Sequence, residues 1–392
     1  MKDEQNTLVR NRINQTKYYR IQAKVDLDNI CHNIDDIKRE LNKDTKVMVI
    51  VKADGYGHGA VPIAKALNNR VNAYGVAIIE EAIELREAGI KKPILILGHT
   101  PIEAYNYLIN YDITQTIFQY EAAKALSLEA AKENKIAKIH IKIDTGMNRL
   151  GFPDKMESIM EIKKIKELKN IEIEGIFTHY AKADEIDKSS TEKQLKRFLD
   201  FVKKLEEEGV MIPVKHASNS AGIIEVRESD LNMVRCGIAS YGIYPSKDVD
   251  HNHIRLRPAM TLESHIIFIK EVGAGEGVSY GSTFITNRRT RIATIPVGYA
   301  DGYSRNLSNR GKVIINGQYA PIIGRICMDQ FMVDVTDIKD AKERDKVILL
   351  GGEGEAFISV EELAHWSHSF PYELVCTIGK RIPRFYPEIK DK

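Results

Sequence analysis

The chain has 392 residues, 43% hydrophobic and 29% charged, with a formal net charge of +2. This is a globular balance with core material for two domains. It argues against a broad nucleic-acid footprint, and no apolar run approaches membrane-spanning length.

In chain order, residues 1–18 are polar, carry Arg10, Arg12 and Lys17, and read as a flexible leader without a signal-peptide pattern. Short β-rich runs then alternate with helical stretches as far as about residue 240. The strands are expected at 46–52, 72–77, 93–97, 113–118, 138–144, 173–179, 213–217 and 231–235. Helical apolar spacing marks Ile78–Ala88, Tyr120–Lys132 and Ser190–Glu208 between them. Eight such repeats predict a (β/α)8 barrel over 19–255. A doubly wound open sheet would carry a glycine-rich dinucleotide turn after its first strand, and the sequence has none. From 256 to 392 the expectation is a mainly β domain. Its strand-like runs are Arg291–Val297, Lys312–Ile315, Ala320–Ile326, Gln330–Val335 and Lys346–Leu350, with Asn316-Gly317 as a hairpin signal. The four cysteines, Cys31, Cys236, Cys327 and Cys376, lie far apart and form no metal-type pair. They suit reduced thiols in a cytoplasmic protein.

Barrel enzymes place their chemistry at the C-terminal ends of the strands. The first run, Val47–Val51, ends at Lys52 and a glycine-rich loop, Ala53–Gly59. A deprotonated amine there can form a Schiff base with a carbonyl, although a strand-end lysine reaching into water explains the segment equally well. The fifth strand carries Lys142 and runs into Thr145–Gly151, which contains Arg149. The sixth ends at His179, the seventh leads to Asn219 and Ser220, and the eighth holds Arg235 before Gly237 and Ile238. The last two loops are the usual phosphate site of such barrels, so Ser220 and the backbone of Gly237 and Ile238 suggest a phosphate cradle. A lysine opposite such a cradle suggests pyridoxal phosphate. Bland readings exist for each residue. Arg149 could pair with Asp144, His179 could be a satisfied core histidine, and Ser220 could cap a helix. Arg235 is harder to explain, because a buried arginine needs partners.

The segments Val51–Gly59, Asp144–Phe152, Gly277–Gly281, Val297–Gly302 and Gly324–Gln330 resemble the alanine racemase family of pyridoxal-phosphate enzymes, in a match from about residue 20 to about 388. The resemblance implies a homodimer with shared active sites that interconverts L- and D-alanine and supplies D-alanine for peptidoglycan. It makes Lys52 the Schiff-base lysine and one of two bases, and Tyr280 the other base, acting in the partner's site. Tyr56, Ser220, Gly237 and Ile238 become phosphate contacts, and Asn219 joins the cofactor contacts. Arg235 faces the pyridine nitrogen with His179 beside it. Arg149 and the backbone of Met328 hold the substrate carboxylate, Tyr299 lines the entrance, and Lys142 is a candidate for carbamylation. Lys380 departs from the pattern by standing where many members carry a tyrosine near the phosphate. That departure keeps a serine racemase of the vancomycin-resistance type as an alternative. A basic-amino-acid decarboxylase would need a glycine-rich phosphate loop and an acidic diamine pocket, neither of which is evident. A non-catalytic pyridoxal-phosphate-binding barrel would lack the second domain.

Overall fold

The computed structural model describes residues 19–387, so the expected leader, residues 1–18, lies outside the described residues. Two compact units form. One is Asp28–Arg257; the other joins the segment up to Leu27 with the segment from Pro258 onward.

The Asp28–Arg257 unit is a closed barrel of parallel strands. In ring order these are Lys46–Ile50, Ala73–Val76, Ile94–Ile96, Thr114–Ile117, Ala137–Asp144, Ile171–Phe177, Val214–His216 and Met233–Cys236. Met233–Cys236 closes the ring on Lys46–Ile50, with Val234 opposite Val47. Helices cover the outside, so strands such as Lys46–Ile50 and Ile94–Ile96 are buried on both faces over most of their length and read as apolar runs. Val47, Met48, Val49, Ile50 and Val51 are all buried. The longest helix of the unit, Ser189–Glu207, buries Thr191, Gln194, Leu195, Phe198, Phe201, Val202 and Leu205, the spacing of one helical face. Full burial of a side chain such as Phe198 contributes roughly 1.5–3 kcal/mol. On the same helix Gln194 accepts from Ala181 N–H at 2.9 Å, and Arg197 donates to the Thr145 carbonyl at 2.8 Å. The helix thereby fixes the loops that follow the fifth and sixth barrel strands.

The second unit is built on a mainly antiparallel sheet. Lys312–Ile315 and Gln318–Ile323 form the expected hairpin, with Ile315 opposite Gln318. Asn316 and Gly317 have φ of 49° and 72°, as a tight primed turn requires. The strands Ile21–Val25, Met260–His265 and Phe268–Val272 add to the sheet and are absent from the sequence expectation. Ile21–Val25 pairs with Met260–His265, Ala23 opposite Leu262. The stretch 19–27, expected with the barrel, is therefore part of the β unit, drawn there by alternating burial along Ile-Gln-Ala-Lys-Val.

Asp230 lies just before the last barrel strand, buried, with an Oδ1 that has no hydrogen-bond partner among the described residues. Burial pushes its carboxyl up to about 7, against a smaller lowering by Arg227. The folded value is above the unfolded one, so this group's stabilisation is present in acid and is lost as pH rises toward 7. Asp230→Asn should raise the denaturant midpoint at pH 8, with the gain shrinking as pH falls toward 4. Equal midpoints at pH 8 would count against this account.

Candidate active site

The chain leaves the first barrel strand through a left-handed turn. Ala53, Asp54 and Gly55 have φ/ψ of 52°/49°, 51°/51° and 61°/44°, and Tyr56 has φ 52°. Gly55 N–H bonds to Val51 O at 2.8 Å and Gly57 N–H to Ala53 O at 2.9 Å, the spacing of an α-turn of reversed hand. Each non-glycine residue in that region costs about 1–2 kcal/mol, and runs of them are rare. Lys52 opens the turn and Tyr56 ends it, with Lys52 Nζ 6.0 Å from the Tyr56 ring centre. The Tyr56 ring meets Tyr241 at 5.1 Å, and the Tyr241 hydroxyl donates to Ile50 O at 2.7 Å.

The barrel interior holds a polar column centred on Arg235, which is 3% exposed. Its guanidinium donates to His216 Nδ1 at 2.9 Å, to the Thr178 and Ala217 carbonyls at 2.8 Å each, and to His179 Nδ1 at 3.2 Å. Arginine only donates, so these ring nitrogens accept and the protons sit on Nε2. His216 Nε2 then donates to His140 Nδ1 at 2.9 Å. His140 fits because its partner across the sheet is Gly175, where a Cβ would stand 2.5 Å from the imidazole. Burial, reinforced by Arg235, lowers the pKa of all three histidines, that of His140 to about 3. They are neutral, and Arg235 carries the charge, with its own pKa lowered by burial only to about 10. Phe177 stacks on His216 at 4.7 Å.

Beside the column is a cradle. Ser220 Oγ accepts from Gly237 N–H at 3.0 Å and Ala239 N–H at 3.3 Å. A Cβ at Gly237 would lie 3.2 Å from the Tyr56 hydroxyl and 3.5 Å from Ser220 Oγ. The bare backbone keeps two hydroxyls and a turn of N–H groups together, a donor set that suits a phosphate. The helix cap offered as the bland reading of Ser220 is made by Asn219, whose side chain accepts from Gly222 N–H at 3.0 Å. Ser220 is left to the cradle.

Lys142 shares its strand with His140 and is buried; its Nζ sits 4.7 Å over the Phe177 ring without a hydrogen-bond partner among the described residues. Burial, then Arg235 and Arg149, hold its pKa well below the usual lysine range. Among the described residues no ion pair joins the Arg149 guanidinium to Asp144. Asp144 instead accepts the backbone N–H groups of Gly146, Asn148 and Arg149 at 2.9–3.0 Å, and so shapes the loop that presents an exposed Arg149.

The remaining candidates stand on the β unit. Tyr280 is 70% exposed and follows Ser279, whose φ is 64°. Ser279 Oγ donates to the Arg325 carbonyl at 2.6 Å, which ties this turn to the segment bearing Met328. Met328 O accepts from Ala300 N–H and Cys327 O from Tyr299 N–H, both at 3.1 Å, so Met328 and Tyr299 lie on adjoining loops. Asp301, fully buried, takes Arg20 at 2.8 and 2.5 Å and Gly298 N–H at 3.0 Å, while its carbonyl takes Gly379 N–H at 2.9 Å. The exposed Lys380 follows Gly379.

Family models for the alanine racemase N-terminal domain and C-terminal domain match residues 25–245 and 259–386. The chain belongs to the alanine racemase family. It is 46% identical to alanine racemase 1 of Clostridium acetobutylicum over 93% of this chain and 95% of that protein. Among solved structures it is similar to the alanine racemase of Clostridium difficile 630, with a TM-score of 0.90 and 44% identity over 94% of this chain and 96% of that one. It is also similar to the alanine racemase of Bacillus anthracis with bound L-Ala-P, with a TM-score of 0.89 and 36% identity over 95% and 96% of the two chains. The serine racemase alternative is not favoured, since these relatives are named as alanine racemases.

Several residues of this polar column and cradle have no role in the sequence reading. His140 was within reach, because it alternates with Lys142 on one strand and so shares the barrel-facing side. His216 and Ala239 sat in or beside segments already singled out. Phe177 and Tyr241 are apolar or aromatic residues that the sequence does not single out. If His216 orders Arg235, His216→Leu leaves a buried guanidinium N–H unpaired and should destabilise the protein by about 1–3 kcal/mol in chemical denaturation. An unchanged midpoint would show that His216 does not order Arg235.

Proposed function

We propose that this chain interconverts L-alanine and D-alanine with pyridoxal phosphate, supplying D-alanine for peptidoglycan. The observation that most supports this, in a chain of this family, is the Tyr56–Ser220–Gly237 cradle on the barrel rim that also carries Lys52. Tyr56 and Ser220 would hold the phosphate through their hydroxyls, with the N–H groups of Gly237 and Ile238. Arg235 would donate to the pyridine nitrogen, His179 would pack beside the ring, and Asn219 and Lys380 would belong to the same surroundings. When bound, pyridoxal phosphate supplies an electron sink that acidifies the Cα–H of the amino acid. Arg235 keeps its proton at neutral pH, so it would offer a pyridine nitrogen a donor and no proton, which would moderate that sink.

Inverting Cα requires a proton to leave one face and another to return on the opposite face. A single base would have to cross the plane of the substrate. Lys52 Nζ serves one face and Tyr280 Oη the other. Tyr280 projects from a braced turn, exposed, which suits action in the barrel of a second copy and hence a homodimer. Arg149 and the backbone of Met328 hold the carboxylate, and Tyr299 lines the approach. No helix among the described residues is long and apolar enough to cross a membrane, and the reading is of a cytoplasmic enzyme.

Circular dichroism of L-alanine incubated with protein and cofactor should decay to zero while total alanine stays constant. Consumption of alanine would indicate different chemistry, and faster decay of L-serine would move the substrate. Lys52→Ala should abolish racemisation. Tyr280→Phe should slow the two directions unequally, and equal retention of both rates would remove it as a base.

Lys142 suits carbamylation. Burial and the neighbouring guanidinium groups push its amine toward the neutral form, and carbon dioxide adds to neutral amines, forming an N–C bond as a proton leaves. The resulting anion would be attracted by Arg149 and Arg235, whose charges disfavour only the protonated amine. Protein exposed to isotope-labelled bicarbonate should show a carbamate carbon resonance that Lys142→Ala lacks. Its absence from the unmutated protein would refute the modification.

A further inference from the structure

We propose that Glu81 is a positioning residue, whose carboxylate clamps the left-handed turn that sets the span between Lys52 and Tyr56. The idea rests on reading those two residues as cofactor contacts. Glu81 lies in the first turn of the helix Ile79–Glu87. Its Oε2 accepts the N–H groups of Ala77 and Ile78 at 2.8 and 3.4 Å, the ordinary work of an acidic residue at a helix start. Its Oε1 does something else: it accepts the Ala53 N–H at 2.6 Å, from the loop after the neighbouring barrel strand. One carboxylate thus staples the loops that follow the first two strands.

The Ala53 N–H belongs to the peptide that joins Lys52 to Ala53. Fixing that peptide fixes the direction in which the Lys52 side chain leaves the backbone. Three of the five consecutive left-handed residues, Ala53, Asp54 and Tyr56, are not glycine, so local preference opposes the turn and contacts from outside must hold it. The far end is held by Asp54 Oδ1, which accepts Ala60 N–H at 2.8 Å, and by the Tyr56–Tyr241 ring contact. Glu81 holds the near end. A turn relaxed to the right-handed form would carry Tyr56 away from Ser220 and Gly237, and the separation between amine and cradle would no longer be fixed.

Glu81→Gln keeps the shape with one acceptor oxygen instead of two, and Glu81→Ala removes both. The readout is hydrogen–deuterium exchange of the full chain, with and without pyridoxal phosphate, alongside the rate of cofactor uptake and the kinetics on alanine. In Glu81→Ala the amides of 53–57 should exchange about tenfold faster or more, with Glu81→Gln between it and the parent. Exchange in the helix Tyr120–Lys132 should not change. Cofactor uptake and kcat should each fall about tenfold while KM for alanine stays within about twofold. Parent-like exchange at 53–57 in both variants overturns the proposal. So does faster exchange that extends to Tyr120–Lys132, or faster local exchange with unchanged uptake and kcat. The exchange measurement does not depend on catalysis. Failure of the racemase reading would leave it standing, and parent-like exchange in an active racemase would remove the role of Glu81 alone.

Discussion

A permanent cation buried in the barrel, with no carboxylate partner among the described residues, is the constraint around which the site is arranged. Arg235 is satisfied by two carbonyls and two imidazole nitrogens, none of which is charged. Taking an ion out of water is expensive unless every donor is met, so the neighbours have little freedom. His216 and His179 must each turn a bare nitrogen toward the guanidinium, and His140 must accept from His216 in turn. Gly175 follows from that requirement, because only a residue without a side chain leaves room for the His140 ring. One buried charge therefore dictates three tautomers and one glycine across four strands of the ring.

The second constraint is backbone strain at the places that present the side chains proposed to react. Lys52 stands at the head of a left-handed turn, and Tyr280 follows a left-handed Ser279. Both conformations are unfavourable for the residues present, and both are braced from outside. Glu81 and Asp54 hold one; the Ser279 hydroxyl bond to the Arg325 carbonyl holds the other. Strain that persists because its surroundings over-determine it is common where geometry matters to function. The same surroundings leave little freedom in the direction of the side chain.

The fold was legible because its signals are local. Apolar runs such as Val47–Val51 and helical spacing such as that of Tyr120–Lys132 recur in the structure within a few residues of their expected ends. Ile21–Val25 was lost because a five-residue strand beside a polar leader has no local sign of its partner, more than two hundred residues later. The site was legible as a set of residue types at strand ends, but the connections between them were not. Nothing in the pair Glu80-Glu81 distinguishes a helix-start acid from one that also reaches the next loop. Nor does the sequence say that Asn219 rather than Ser220 caps its helix, or that Asp144 takes backbone N–H groups rather than the Arg149 guanidinium. These are choices between hydrogen-bond partners of similar chemistry, and three-dimensional placement decides them.

Charge completes the argument. His179 is held neutral by burial first and then by Arg235, Lys142, Arg149 and Lys52, with no carboxylate among the groups acting on it. Asp144, the nearest acid to Lys142 in the same strand, has its oxygens engaged by three backbone N–H groups. The rim is thus electropositive in a partly dry setting, where opposite charge is worth far more than in water. Each species in the proposed reaction answers that field: a phosphate, a substrate carboxylate and a carbamate on Lys142 are all anions. A site that favours anions by long-range field and sorts them by fixed donors can hold several at once without exchanging their places, since the cradle at Ser220 and Gly237 and the exposed guanidinium of Arg149 stand on different loops of the same ring.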